Sequence, residues 1–357
     1  MSSFTETPTS DAASSTAASY VNFTSSTYKP IFGETEIAIT ASIMFPLFIF
    51  GIIGNVLTIV VIYRSPKLKS TFHYIILSIC LSDLISAVLS PLYVYQRTWG
   101  FLSWDIPNFL CGIFWGGDNL TSVATSFHIL LFAFFRFISL MYPHRFKRIT
   151  SKHVKIILLV VWIISVGVGV VPFVIMFGVR EIDRRFFIPA RSWPSCTVYE
   201  ERVPMMLMYS KIGYSLFFYI PMILITVLSL KIAWFIYSRK RKRREAMKKK
   251  PQKENSNELK QQNKEKGAIL QLFLIVGSFA LGYIPHTAYH IYVNTILPWT
   301  NSEIYFQWWF GQIEYITLRV SECLNPVFYN LASPKIRKET KTTIKQICGN
   351  PLSAASS

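Results

Sequence analysis

Ionisable side chains stand inside stretches of the sequence that are otherwise apolar. Among them are Asp83, Asp118, Arg319 and Glu322. A charge in an apolar medium is costly, so such residues are functional by default, and opposite charges pair rather than stay alone. The sequence shows no Ser-His-Asp set, phosphate-binding loop or metal-binding cluster. These residue types therefore predict binding and ion pairing, and we do not expect an enzyme, a metal site or a resident cofactor.

The five cysteines are too few for a disulfide framework, and none forms the C-x-x-C pair that would indicate zinc. Cys80 and Cys323 lie inside apolar runs, where cysteine is usually a small core residue. Cys111, Cys196 and Cys348 border apolar runs instead. The cysteine pattern therefore indicates neither a disulfide scaffold nor a zinc domain.

The composition shows what kind of chain must position these residues. Of 357 residues, 51% are hydrophobic and only 16% are charged, whereas a soluble domain carries about 25% charged residues. This excludes a soluble enzyme and a disordered chain. The net charge of +18 fits either a nucleic-acid-binding domain or a membrane protein. Because the basic residues lie in short segments between apolar runs, we expect a membrane protein and no nucleic-acid partner.

The apolar residues cluster in seven runs, each long enough to cross a bilayer. The runs lie at about 37–63, 72–95, 109–141, 154–177, 205–237, 267–294 and 304–330. In lipid the backbone must satisfy its own hydrogen bonds, so each run is predicted to be a helix. Kinks are expected at five prolines, Pro91, Pro172, Pro221, Pro285 and Pro326. The predicted fold class is an all-α membrane protein, a seven-transmembrane helix bundle with its termini on opposite sides.

Most of the 37 basic residues lie in 64–71, 142–153, 238–266 and 331–357. Segments rich in Lys and Arg stay in the cytoplasm, so the N-terminus is predicted to be extracellular and the C-terminus cytoplasmic. The basic loop at 238–266 is also expected to contact anionic membrane lipids.

Two polar segments flank the predicted bundle at 37–330. Residues 1–36 predict a disordered extracellular tail without a visible signal peptide, and its sequon at Asn22 is either glycosylated or a chance match. Residues 331–357 predict a cytoplasmic tail that begins with a short amphipathic eighth helix at 334–348. Cys348 at its end is either palmitoylated or a plain exposed cysteine.

Sequence landmarks recur in all seven runs in a fixed order, with Arg136 placed 25 residues after Cys111. The landmarks are Gly54-Asn55-Val56, Leu81-Ser82-Asp83-Leu84, Cys111, Arg136, Pro143, Trp162, Pro172, Pro221, Pro285 and Asn325-Pro326-Val327-Phe328-Tyr329. A transporter with the same number of spans has internal repeats, which this sequence lacks. Over about residues 37–348 the chain resembles the rhodopsin-like (class A) G-protein-coupled receptor family.

The resemblance implies a plasma-membrane receptor that passes an extracellular ligand signal to heterotrimeric G proteins by a population shift between two bundle states. It implies that the sixth helix swings around Pro285 and opens a cleft near Arg136. Asn325, Pro326 and Tyr329 would belong to the same switch. Arrestin and a receptor kinase are further partners that the resemblance suggests.

The resemblance also implies a disulfide bond between Cys111 and Cys196, which would hold the loop at 178–204 over the mouth of the bundle. Both cysteines would then face the oxidising side of the membrane. Two free extracellular thiols are the alternative.

The acidic residue that the family places before the conserved arginine is missing, because Arg136 stands between Phe135 and Phe137. Glu265, just before the sixth run, is at a position where many members hold this arginine in the inactive state. An Arg136–Glu265 clamp is therefore one hypothesis, and a solvated Glu265 is the other.

Two further departures concern activation. Tyr283 replaces the family's tryptophan before Pro285, and Ser229 replaces a tyrosine in the fifth run. Because of these changes, a weakly coupling receptor or a decoy receptor is retained as an alternative function.

The predicted ligand cavity contains Asp118, Tyr283, His286, His290 and Arg319. Asp118 alone would suggest an amine ligand, but Arg319 faces the same cavity if the resemblance holds. The two would then form an ion pair, either a lock that a ligand opens or a permanent bridge. His286 and His290 are interpreted as polar lining or as pH sensors.

An opsin-like receptor is a second candidate, because Ser333-Pro334-Lys335 resembles the opsin tail. Opsins attach retinal through a lysine, and Arg319 occupies that position. A guanidinium stays protonated and cannot form a useful Schiff base, so covalent retinal is not expected. The long loop at 178–204 suits a peptide ligand equally well.

Glu322 adds a second carboxylate to the cavity in which the family holds sodium. The residues assigned to this polar network are Asn55, Asp83, Thr125, Ser321 and Glu322. Two close carboxylates are not readily ionised together. Either one of them is protonated or an internal sodium ion is held between them.

Overall fold

A computed structural model describes residues 32–101, 103–179, 195–249, 256–296 and 300–348. These residues belong to one compact unit. Asn22 lies outside them, as does most of the loop at 178–204. The side chains of Glu265 and Cys348 are also outside the described part of the structure.

Helices make up nearly all of the described chain. In chain order they are α1 (Glu34–Arg64), α2 (Thr71–Arg97), α3 (Asn108–Met141), α4 (Pro143–Phe146), α5 (Ser151–Ser165), α6 (Val171–Met176), α7 (Val203–Tyr214), α8 (Ile220–Lys249), α9 (Ser256–Thr295), α10 (Asn301–Ala332) and α11 (Pro334–Cys348). Short 3-10 turns at Pro66–Leu68 and Glu200–Arg202 complete the helical segments.

Six of the described helical stretches are long and apolar enough to cross a membrane. They are Glu34–Arg64, Thr71–Arg97, Asn108–Met141, Ser151–Met176, Glu200–Lys242 and Ile269–Thr295. The seventh long helix, α10, has 32 residues but carries Glu303, Glu314, Arg319 and Glu322 along its length. We refer to these seven stretches as the first to seventh spans.

The first span begins earlier than the sequence predicts. Its N-terminus at Glu34 places the last three residues of the predicted 1–36 tail inside a helix. The reason is a local cap, since the backbone N–H of Gly33 donates a hydrogen bond to Glu36 Oε2 at 2.8 Å. An acidic side chain in the first turn also stabilises the helix through its interaction with the helix dipole.

The fourth and fifth spans each contain one widened turn ahead of a proline. Val166–Val170 is a π-helical turn that precedes Pro172, and Ser215–Tyr219 is another that precedes Pro221. Proline lacks an N–H and clashes with the carbonyl of the preceding turn, so a wider turn allows the helix to continue. The predicted kinks at these two prolines therefore take the form of π-turns.

The surface of the bundle is unusually apolar. Phe50, Leu230 and Trp234 are exposed by 64–70% of their surface. The inside combines a large apolar cluster, with Phe132 and Tyr329 fully buried, and a set of buried charged residues. A chain with apolar residues outside and ionisable groups inside is suited to lipid, where only internally satisfied helices are stable.

A short hairpin lies at one end of the bundle and is fixed by a disulfide bond. Strands β1 (Phe177–Val179) and β2 (Cys196–Val198) pair antiparallel, with Gly178 opposite Thr197. Cys196 is bonded to Cys111 near the start of α3, with 5.6 Å between their Cα atoms. The predicted disulfide is therefore confirmed.

The eighth helix predicted at 334–348 is confirmed as α11. Ile336 is fully buried against the bundle, whereas Ile344 and Ile347 are 41% and 60% exposed. The three isoleucines of this helix therefore differ in their surroundings. Thr340 and Thr343 are also buried, so the buried face of the helix continues beyond its first turn.

Candidate functional site

Arg319 lies between two carboxylates in the interior of the bundle. Its Nη1 is 2.9 Å from Glu322 Oε2, and its Nη2 is 3.4 Å from Asp118 Oδ1. The Arg319 side chain is only 3% exposed, and its guanidinium lies 4.4 Å from the centre of the Tyr315 ring. The predicted contact with Asp118 is present, but the closer partner is Glu322.

Glu322 had been assigned by sequence to the sodium cavity beside Asp83. In the structure one of its oxygens faces Arg319, and the other accepts a hydrogen bond of 3.0 Å from the Ser86 hydroxyl. Both oxygens therefore have a partner within the protein. The reason is spacing along the helix, because residues three apart share one face.

Asp83 is fully buried, and its Oδ2 accepts a hydrogen bond of 2.9 Å from Asn325 Nδ2. Thr125 and Ser321, which were also assigned to this network, form hydrogen bonds with other residues. The Thr125 hydroxyl is 2.9 Å from the Ser82 hydroxyl, and the Ser321 hydroxyl donates to the Ser278 carbonyl. Within this network, the buried Oδ1 atoms of Asn55, Asp83 and Asn325 have no hydrogen-bond partner among the described residues. Carboxylate and amide oxygens are the ligand type that hard cations prefer.

His286 and Glu314 form a second buried polar pair, with 3.0 Å between Nδ1 and Oε2. His290 contacts the edge of the His286 ring at 4.4 Å between centres, and the Tyr214 ring lies 4.6 Å from His290. The two histidines thus lie together, as predicted. Glu314 was missed, although an acid within the apolar and aromatic seventh run was a usable signal.

Tyr283 connects the sixth span to the third. Its hydroxyl donates a hydrogen bond of 3.2 Å to the carbonyl of Ser122, and its ring stacks on Phe279 at 4.2 Å. The position is fully within the core. The tyrosine is therefore tied to the backbone of α3 directly below the charged residues around Asp118.

Arg97, at the end of the second span, is a further interior cation that the sequence reading overlooked. Its Nη2 donates to the Tyr289 hydroxyl at 3.0 Å, and its guanidinium lies 5.6 Å from the Tyr93 ring. Trp308 Nε1 donates to the Arg97 carbonyl at 3.0 Å. Its described partners are aromatic residues of the second, sixth and seventh spans, so it links these spans near one end of the bundle.

Arg136 lies at the other end of the third span and is held without an acid among the described side chains. Its guanidinium is 3.7 Å from the centre of the Phe72 ring and 5.1 Å from that of Phe132. Its Nη2 donates a hydrogen bond of 2.5 Å to Gln271 Oε1 in the sixth span. Gln271 was not predicted, and the predicted partner Glu265 has no described side chain.

The seventh span ends in the predicted Asn325-Pro326-Tyr329 group. Tyr329 is fully buried in the main apolar cluster, and its hydroxyl has no partner among the described groups. Pro285 lies inside α9 and Pro326 inside α10, where each removes one backbone donor. α9, which carries Tyr283 and His286, and α10, which carries Arg319 and Glu322, therefore each have a weakened point.

The seven spans, the disulfide-anchored hairpin and the interior charges define a multi-pass helical membrane protein. Residues 54–329 match the family described as "7 transmembrane receptor (rhodopsin family)". The match covers most of the chain, which therefore belongs to this family.

Curated relatives extend the comparison. The growth hormone secretagogue receptor type 1 of Sus scrofa is 25% identical over 312 residues, covering 86% of this chain and 81% of the relative. The α1A adrenergic receptor of Rattus norvegicus is 23% identical, covering 85% and 66%. The dopamine D2-like receptor of Drosophila melanogaster is 29% identical over 208 residues, covering 58% and 21%.

Membership of this family establishes the general activity of the chain, which the interior charges alone do not. The chain is a receptor rather than an enzyme, and it couples an extracellular ligand to heterotrimeric G proteins. The rhodopsin-like resemblance and the seven-span fold predicted from sequence are both confirmed.

Proposed function

We propose that the receptor recognises a cationic group of its ligand through Asp118. One observation supports this proposal. The two carboxylates that contact Arg319 differ in their distance from it and in their exposure. Asp118 is held at 3.4 Å and its side chain is 18% exposed, whereas Glu322 is held at 2.9 Å and is 7% exposed. Asp118 is thus the more accessible and more distant of the two carboxylates.

The charge balance supports the same ligand class. One guanidinium lies between two carboxylates, so the group carries an excess of negative charge when all three are ionised. A ligand ammonium or guanidinium at Asp118 removes that excess, and Arg319 keeps Glu322 as its partner. The ligand cation therefore replaces Arg319 as the partner of Asp118, which breaks the Asp118–Arg319 ion pair. No buried charge is left without a partner.

Both small molecules and peptides can carry a cationic group that binds a carboxylate. One relative is named for dopamine, an amine, and another for a growth hormone secretagogue. We propose a small amine or a peptide with a basic residue, with Tyr283, His286, His290 and Arg319 as the further ligand-site residues. Retinal is not proposed, because Arg319 is engaged by two carboxylates at the position of the Schiff-base lysine.

The signal is proposed to travel through the sixth and seventh spans. Release of Asp118 frees α3 to move relative to Arg319, and the helix carrying Tyr283 pivots at Pro285. Its far end then withdraws Gln271 from Arg136, which opens the cleft for the G protein. This is a population shift driven by the ligand's stronger binding to the open state.

The arrangement in the cell is proposed as a plasma-membrane receptor with its N-terminal tail outside. Glycosylation of Asn22, palmitoylation of Cys348, and binding of arrestin and a receptor kinase are part of this proposal. A sodium ion at Asp83 is also proposed, held by its unpartnered oxygen and that of Asn325. Glu322 is not included in that site because Arg319 already neutralises it.

A second-messenger assay in transfected cells tests the ligand proposal. A library of amines and short basic peptides is applied to the wild type and to the Asp118→Asn and Asp118→Glu variants. We expect active compounds to lose potency with Asn and to retain part of it with Glu. Equal potency on Asp118→Asn would reject Asp118 as the anchor. Full surface expression without any basal or stimulated signal would instead favour the decoy receptor.

A further inference from the structure

An open recess lies on the lipid-facing side of the bundle, between α1, the end of α10 and α11. Its volume is about 350 Å³. The residues that shape it are Gly54, Leu57, Pro326, Val327, Leu331 and Arg337. None of them belongs to the proposed ligand site between the spans.

The recess exists because a glycine faces a proline across two helices. A Cβ atom at Gly54 would lie 3.2 Å from Pro326 Cγ, so the two helices approach closely at the floor of the recess. Val327 and Leu331 form one wall and are 49% and 55% exposed. In a membrane protein such a surface faces acyl chains.

Two polar side chains of the recess each donate a hydrogen bond within their own helix. The Thr58 hydroxyl donates to the Gly54 carbonyl, and Asn330 Nδ2 donates to the Pro326 carbonyl, each at 2.9 Å. Both bonds lie within their own helices. The walls therefore present mainly methyl and methylene groups to an occupant.

Arg337 differs from the rest of the lining. It is exposed, and no carboxylate of the described residues lies within 4.0 Å of it. The nearest acid along α11, Glu339, is paired with Lys67 at 3.5 Å. The recess thus combines apolar walls with one guanidinium at the end where the chain leaves the seventh span.

We infer that the recess binds an anionic glycerophospholipid of the surrounding membrane, with one acyl chain along Leu331 and its phosphate on Arg337. A guanidinium forms paired hydrogen bonds with phosphate, and it stacks and desolvates more readily than a lysine. A free phosphate ion would leave the apolar walls unused. A neutral sterol would leave Arg337 without a counter-charge.

The site has a structural consequence for the seventh span. Pro326 forms the floor of the recess, and Leu331 and Arg337 stand on either side of the junction between α10 and α11. A bound acyl chain is therefore in contact with the proline of the activation switch and with the helix that follows it. With the proposed orientation, the lipid belongs to the cytoplasmic leaflet, where anionic lipids are concentrated.

Photo-crosslinking with a defined lipid tests this inference. The purified full-length receptor is placed in nanodiscs that contain a trace of photoactivatable phosphatidylserine, or phosphatidylcholine with the same acyl chains. Labelled peptides are then mapped by mass spectrometry. We expect phosphatidylserine to label the peptide around Val327 and Leu331 about fivefold more than phosphatidylcholine, the preference that one basic residue near a membrane surface supports.

Three variants make the test specific. Arg337→Gln is expected to abolish the preference for phosphatidylserine, whereas Lys341→Gln removes the same charge from the same helix outside the recess and should preserve it. Leu331→Trp fills the recess from its exposed side, so it should reduce labelling by both lipids without disturbing the core. Equal labelling of both lipids in the wild type would show nonselective lipid contact and overturn the inference.

Discussion

The Arg319 guanidinium lies 2.9 Å from the carboxylate of Glu322, one helical turn further along the same helix. Both side chains are at most 7% exposed, so water cannot replace either partner. Removing one member of a buried ion pair strands the other charge, at a cost of roughly 3–5 kcal/mol. Glu322 is therefore the closer and less exposed of the two counter-ions of Arg319.

The first prediction follows from the two distances. Glu322→Gln should lower the thermal stability of the purified receptor more than Asp118→Asn, because Arg319 retains a close carboxylate only in the second variant. Glu339→Gln is the matched control, since it breaks the surface pair with Lys67, whose side chain is 74% exposed, and should cost less than about 1 kcal/mol. Equal losses for Glu322→Gln and Asp118→Asn would mean that Arg319 depends on both acids alike.

The second prediction concerns exchange of the charges at 118 and 319. From sequence alone, Asp118→Arg combined with Arg319→Asp is expected to restore the ion pair. The structure argues for the opposite result, because the new aspartate would lie beside Glu322 and repel it. Adding Glu322→Gln to the exchanged pair should then recover surface expression. Recovery by the exchange alone would show that Glu322 is not close to position 319.

The third prediction concerns the restraint of Arg136. Gln271→Ala removes its hydrogen-bond partner in the sixth span and should raise basal G-protein activation in transfected cells. Phe72→Leu, which removes the aromatic face, should act in the same direction. Glu265→Ala is the informative comparison, because it tests the clamp predicted from sequence. If Glu265→Ala raises basal signalling and Gln271→Ala does not, the contact with Gln271 does not restrain activation.

The fourth prediction concerns the disulfide bond. Cys111→Ser and Cys196→Ser should each abolish surface expression, since the bond closes a loop of 85 residues and fixes the hairpin to α3. Cys323→Ala is the control for a free cysteine, and it should be expressed normally. Normal trafficking and ligand response of Cys111→Ser would show that the bridge is dispensable.

The spans could be predicted because lipid imposes a length and a composition on any helix that crosses it. The first span still begins at Glu34 rather than 37, since a cap formed by Glu36 depends on side-chain geometry. Pro172 and Pro221 indicated kinks but not π-turns. Hydropathy reports which residues are in a span, and it carries no information on the local winding of the helix.

The candidate site was predicted less completely, for a related reason. Asp118 and Arg319 could be paired because the family resemblance places both in one cavity. Gln271 and Glu314 were missed because their partners, Arg136 and His286, each belong to another span. Such contacts depend on how far each helix is rotated about its axis, which no motif in this sequence specifies.

The pairing of Arg319 with Glu322 also bears on how the protein is made. The seventh helix is not among the described helices apolar enough to cross a membrane by composition, and each isolated charge at a helix centre disfavours entry into lipid by about 2.5–3.5 kcal/mol. An arginine with its counter-ion three residues away needs no other helix to neutralise it. Glu322 therefore neutralises Arg319 already when the seventh helix enters the translocon. Asp118 becomes a neighbour of Arg319 only when the spans assemble.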